Sequence, residues 1–167
     1  MEQGIIAKLT ENKTALLTKW FHLLLEIYPK ETTKHFKAEK SQFANPVGSN
    51  IHQGLSSIYD ELVGNMDKEI LRKAIDKIVR IEAVQDIGPS QSCSFLFLFK
   101  KVLRESIDNE ITLKLSPQDL ALLEARIDEL VLLSFDIYME CRETIYKLRV
   151  HELKTRCDIL ERVNSYN

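Results

Sequence analysis

The chain has 167 residues, 44% hydrophobic and 29% charged, with only 5 Gly and 4 Pro; this is the balance of a folded helical protein able to bury one core without staples, and it excludes a disordered chain. With 23 basic against 25 acidic residues the net charge is -2, so no whole-protein field attracts a polyanion and nucleic acid is not an expected partner. The three cysteines, Cys93, Cys141 and Cys157, fit neither a disulfide framework nor a CxxC metal motif and read as reduced thiols.

The N-terminus MEQGIIAKLTENK has no basic segment followed by an uninterrupted apolar stretch, so it does not read as a secretory signal. The first helix is expected to carry Leu9, Leu16, Trp20, Leu24 and Ile27 on one face and to end at Tyr28-Pro29. Residues 29 to about 46 are polar, with Phe36 and Phe43, and suggest an ordered connection anchored by the two rings. A second helix, from about Val47 to Gly64, places Ile51, Leu55, Ile58 and Leu62 on one stripe. Asp67 can cap a third, running to about Val84 or Ile87, with Leu71, Ala74 or Ile75, Ile78 and Ile81 or Val84 facing inward.

Gly88-Pro89-Ser90 opens a fourth helix that is apolar nearly all round at Phe95 to Phe99 and is therefore expected to be central. That apolar run is followed at once by Lys100 and Lys101 and is much too short to span a bilayer, so a cytoplasmic protein without membrane insertion is expected. After a short connection at Glu110 to Leu115, Ser116-Pro117-Gln118-Asp119 is a strong helix start: a capping hydroxyl, a proline at the first position and an acid at the positive end of the dipole. Neither Gly nor Pro follows as far as Val163. Roughly 45 residues of helix make a rod on the order of 70 Å, against roughly 26 Å for a domain of this size, so part of it must project or pack on another chain. Leu120 to Ile137 is dense in apolar residues and reads as core. Beyond Cys141 the apolar positions are Tyr146, Val150, Leu153, Cys157 and Leu160, spaced 4, 3, 4 and 3, with Asn164 continuing the pattern. This suits a helical seam, dimeric or intramolecular, in preference to a single amphipathic helix folded back on its own core. The organisation expected is a helical domain over 1–145 with a helical extension over 146–167.

Candidate chemistry is sparse. His22, His35, His52 and His151 are not paired at ligand spacing, and no metal site is expected. An all-α chain with a Trp-bearing first helix raises a haem alternative, with His52 or His22 as ligand, although no histidine lies between His52 and His151. Cys93, near the start of its helix, is the best thiol candidate, with a buried inert residue as the other reading. Lys100, Lys101 and Arg104 read as a solvated face. More informative are charges within apolar helices: Arg80, Gln85 and Asp86 with Arg126, Asp128 and Asp136 are expected to meet in a buried polar network, either fixing helix register or lining a ligand or partner pocket.

Three segments, FANPVG at Phe43 to Gly48, RIEAVQDIGPSQS at Arg80 to Ser92 running into FLFLFKKVLRE, and RIDELVLLSFDIYMECRETIY at Arg126 to Tyr146, resemble the RsbRD N-terminal domain family, sensory modules of RsbT co-antagonist proteins in bacterial stress signalling. Ala83-Val84-Gln85-Asp86 and Pro89-Ser90-Gln91 fit the pattern of that family. The resemblance implies a globin-like helical bundle without haem, placed upstream of a signalling output in longer relatives; here the chain stops shortly after the long helix, and the expectation is a stand-alone member. With no base, nucleophile and oxyanion donor to assemble from the motifs present, the leading expectation is a non-enzymatic regulatory or sensory domain that forms a homodimer through the terminal helix and acts on an unidentified downstream protein. The ligand-binding set to test is Arg80, Gln85, Asp86, Ser90, Gln91, Arg126 and Asp128, and no cofactor is expected. The rival readings are a haem or other redox-cofactor protein and a structural accessory subunit of a respiratory or sulfur-metabolism complex.

Overall fold

The computed structural model describes residues 3–27, 46–85, 87–108 and 115–165. Among them are five helices and no strand: α1 (Gln3–Ile27), α2 (Pro46–Val63), α3 (Lys68–Val84), α4 (Pro89–Asp108) and α5 (Pro117–Ser165). The expected Tyr28-Pro29 stop, the connection with Phe36 and Phe43, the start of the FANPVG segment and the loop at 110–114 lie outside the described residues.

The helix starts follow their capping chemistry. The Asp67 side chain accepts from the backbone N–H groups of Glu69 and Ile70, closing the first turn of α3. Ser116 does the same for α5, its Oγ accepting from the N–H of Asp119 at 3.2 Å. Between α2 and α3 the chain turns within four residues. Met66 takes a left-handed φ of 56°, which lets its N–H reach back to Glu61 O at 3.0 Å and close the end of α2. The two helices then pack closely at Gly54, where a Cβ would lie 3.1 Å from Ala74 O and from the Ile78 side chain.

The core fills the space among all five helices. Leu9, Leu16, Trp20 and Leu24 of α1 meet Ile51, Leu55, Ile58, Tyr59 and Leu62 of α2, Phe95 and Phe99 of α4, and Ile75 and Ile78 of α3. Trp20 lies fully buried with its ring centroid 4.5 Å from that of Phe99, and its indole N–H donates to Phe95 O at 2.7 Å. The Tyr59 hydroxyl donates to Leu9 O at 2.6 Å, and burial pushes its pKa up. Each large ring thus satisfies its polar atom on a neighbouring backbone.

Three details differ from expectation. On α3 the buried stripe ends in Glu82 and Ala83, and Val84 is exposed. On α4 Phe97 is half exposed, with Lys100 Nζ 5.7 Å from its ring, so the helix has an outer face and is not apolar-packed all round. On α5 only Leu123, Ile127, Leu130, Ile137, Tyr138 and Cys141 are buried hydrophobics, while Leu132 and Phe135 face outward. A helix docked on one side buries only a stripe, however apolar its remainder. The rod itself is present. Its 49 residues extend for about 74 Å, and beyond Cys141 no side chain up to residue 161 is fully buried. The tail therefore does not fold back on the body. No helix among the described residues is long and apolar enough to cross a membrane.

Candidate functional site

The buried polar side chains lie where α3, α4 and α5 meet. Glu82, in the last turn of α3, and Ser92, in the first of α4, are brought together by the short turn between those helices, and Ser92 Oγ donates to Glu82 Oε2 at 2.6 Å. The turn is closed by backbone bonds from Ile87 N to Glu82 O at 3.1 Å and from Ser92 N to Gly88 O at 2.9 Å. From the other side α5 presents Ser134, Tyr138 and Arg142, four residues apart and so in one line along the helix. Ser134 is fully buried beside Cys93, and its hydroxyl donates to Val131 O of its own helix at 2.8 Å. The Tyr138 hydroxyl donates to Ile87 O at 2.6 Å, and Arg142 Nη1 to Ala83 O at 3.1 Å. Tyr138 and Arg142 thereby stitch the long helix to the α3–α4 turn. Outside the stitch, Arg72 pairs with Glu140 across the same interface.

Burial pushes the Cys93 thiol up, with nearby Glu82 adding to the rise and the Ser134 hydrogen bond only opposing it, so Cys93 stays protonated at neutral pH. The helix dipole does not make it a thiolate nucleophile, and the inert reading of this residue is the one that fits. Burial likewise raises Cys141, while Cys157 is exposed.

The expected network of buried charges does not form. Arg80 is exposed and holds Asp76, one turn earlier, through bonds of 3.0 and 2.8 Å; this pairing raises its pKa. Arg126 reaches the end of α2, where Nη1 donates to Leu62 O at 2.7 Å and to Gly64 O at 3.0 Å, a cap for carbonyls that the helix cannot satisfy itself. Asp128 accepts from Lys100 at 2.6 Å. Gln85 ends α3 and is exposed, as are Ser90, Gln91 and Asp136; Asp86 lies outside the described residues. The reason is angular. Arg80 stands two residues, roughly 200° of helix, from buried Glu82, and Asp128 is one residue past buried Ile127. Arg80 and Gln85 do share an open groove of about 510 Å³ with Lys77 and Asn50. The basic cluster on α4 is more than a solvated face, because Arg104 also pairs with Glu124 at 2.7 Å and so fastens α4 to α5.

Among the described residues no group of three or more His, Cys, Asp and Glu is placed to hold a metal ion. His22, His52 and His151 are all on the surface, and the His52 ring stands edge-on to Phe21. His35 lies outside the described residues. Of the seam residues, Tyr146, Leu153, Cys157 and Leu160 are exposed and Val150 is half-buried.

Five helices around one core, with the last stitched to the body and running on beyond it, define an all-α module with a projecting helical arm. The sequence model of the RsbT co-antagonist protein rsbRD N-terminal domain matches residues 14–153, and the chain belongs to that family. It is also similar to an uncharacterized protein of Archaeoglobus fulgidus, 31% identical over 97 residues. That alignment covers 58% of this chain and spans 60% of the length of the relative. No solved structure matches the chain.

Proposed function

We propose that this protein is a non-enzymatic regulatory or sensory domain whose helical body receives a small ligand or a partner protein and whose projecting α5 carries the response to another chain. The observation that carries the reading is the division of α5: its inner half is held by the polar stitch at the α3–α4 turn, and its outer half leaves the body with apolar side chains uncovered. Membership of the RsbRD N-terminal family, a domain of co-antagonist proteins, supports a regulatory role. A ligand with different affinities for the stitched and loosened arrangements would shift their populations, and so the posture of the arm. The groove holding Arg80 and Gln85 adjoins the last turns of α3 and is the first place to seek that ligand.

The output half of the reading requires self-association. Size-exclusion chromatography with light scattering on the full chain and on a chain truncated after Arg149 tests it: a dimer that becomes a monomer on truncation is expected, and a full-length monomer would remove it. The bundle is read as globin-like without haem and the protein as cytoplasmic; a Soret band in freshly purified protein would overturn that reading. The uncovered arm also suits docking on a larger complex as an accessory subunit, which co-purification from the native host would reveal.

A further inference from the structure

The open groove of about 510 Å³ between the end of α3 and the start of α2 is not balanced in charge. Asp76 accepts from Arg80 Nε at 3.0 Å and from Nη2 at 2.8 Å, which uses one fork of the guanidinium. The other fork, Nη1 with the second hydrogen of Nη2, is engaged by no described residue. A fork of that geometry fits a planar carboxylate, and the bond to Asp76 holds it in position. Lys77 lines the same groove and has no ion-pair partner among the described residues. Two cations, Lys77 and Arg80, against one acid, Asp76, leave the groove a net charge of +1.

The remaining lining suits the rest of such a ligand. Asn50 and Gln85 bring side-chain amides, while Ile81 and Val84 form an apolar wall. Val84 is 64% exposed, so a ligand lying on it would remove apolar surface from water. Bare carbonyls at a helix end repel an anion, but those of α3 are already bonded. Ile81 O and Glu82 O accept from the N–H of Gln85, and Ala83 O accepts from Arg142. The groove also reaches the root of the arm, because Asp76 Oδ1 accepts from Cys141 Sγ of α5 at 3.9 Å. An anion that draws on Arg80 thus acts on a carboxylate that α5 itself contacts.

We propose that this groove binds a small organic monocarboxylate, its head held by Arg80 and Lys77 and its apolar body lying on Ile81 and Val84. A phosphate monoester, with a charge of about -1.5 to -2, exceeds what the groove offers. The inference rests on reading the body as the receiver of a small ligand and names the class of that ligand.

Benzoate, benzamide and benzamidinium share a ring and a planar head and differ in charge, so they separate recognition of an anion from burial of a ring. Each is titrated to about 20 mM into the isotope-labelled full chain at constant ionic strength and followed by amide chemical shifts. Benzoate is expected to saturate, moving the amides from Asp76 to Gln85 and the Arg80 Nε signal. Benzamide and benzamidinium should bind at least about ten-fold more weakly. Lys77→Gln and Arg80→Gln should each weaken benzoate by about ten-fold, and Lys73→Gln, on the same helix outside the groove, by under about two-fold. Val84→Ser should weaken it by about three-fold. No saturable shift with benzoate, equal affinity for benzamide, tighter binding of inorganic phosphate, or benzoate affinity unchanged by Lys77→Gln or Arg80→Gln would overturn the proposal. The regulatory reading would then still stand on the family and the arm. Benzoate that binds as expected but leaves amide hydrogen exchange beyond Cys141 unchanged would uphold the site and defeat the reading that the arm responds to it.

Discussion

The inner and outer halves of α5 are built from similar residues and put to opposite use. Between Pro117 and Cys141 the helix buries Leu123, Ile127, Leu130 and Ile137 and fastens itself with Tyr138. Beyond Cys141, Tyr146, Leu153 and Leu160 stay exposed in the single chain. Exposed Ala125, Leu132, Met139, Tyr146, Leu153 and Leu160, at seven-residue intervals, run through both halves, so the inner half is a two-sided helix, core on one face and this line on the other. Apolar content alone does not distinguish a helix that builds a domain from one that joins domains; the direction of each stripe does.

Substitutions that separate the halves sharpen this contrast. The largest effect is expected from Ile127→Ala or Leu130→Ala, each costing about 2–5 kcal/mol in denaturant unfolding. Leu153→Ala should move the unfolding midpoint of dilute protein by under about 0.5 kcal/mol while weakening self-association. If Leu153→Ala destabilised the body as much as Leu130→Ala, the division would be broken. Next comes the stitch: Ser92→Ala deprives a buried Glu82 oxygen of its donor and should cost about 1–3 kcal/mol by the same measurement. Arg126→Met, which uncaps Leu62 O and Gly64 O, is expected to cost about 1–2 kcal/mol, with earlier hydrogen exchange at the end of α2. Smaller still is the pH effect of Glu124. The Arg104 hydrogen bond holds its carboxyl below the usual range, with Arg104 and Lys100 charges assisting and burial and Asp128 opposing. A depressed folded pKa means stability that is fully present above the unfolded value near about 4.3 and lost as pH falls through the folded value below it. Glu124→Gln should therefore flatten the acid limb of the stability profile, by under about 1 kcal/mol.

Much of the fold was legible because local chemistry and tertiary packing agree. Asp67 caps where a capping residue was expected, Ser116-Pro117 opens the long helix, and the Ile51, Leu55, Ile58, Leu62 stripe is buried as its spacing implied. The candidate site was less legible because charge within an apolar segment need not be charge within the core. Arg80, Arg126 and Asp128 stand beside buried positions but turn off the core, toward a same-helix acid, a helix end and a lysine. Glu82 was the residue to find, and its signal was present: Leu71, Ile75, Ile78 and Glu82 are spaced 4, 3 and 4, so the acid continues the buried stripe. Ser92 and Ser134 gave no comparable signal, since a small hydroxyl suits a surface or a core equally. The outward line through Leu132 and Met139 was hidden by the density of leucines around it.

The stitch at the α3–α4 turn also sets a mechanical scale. From Cys141 to Ser165 the arm is about 36 Å long, so a tilt of about 5° at its root sweeps the tip by about 3 Å. Tyr138 and Arg142 stand near the root of this lever, so a small change in how α5 is seated there becomes a sideways displacement of several ångströms at the far end.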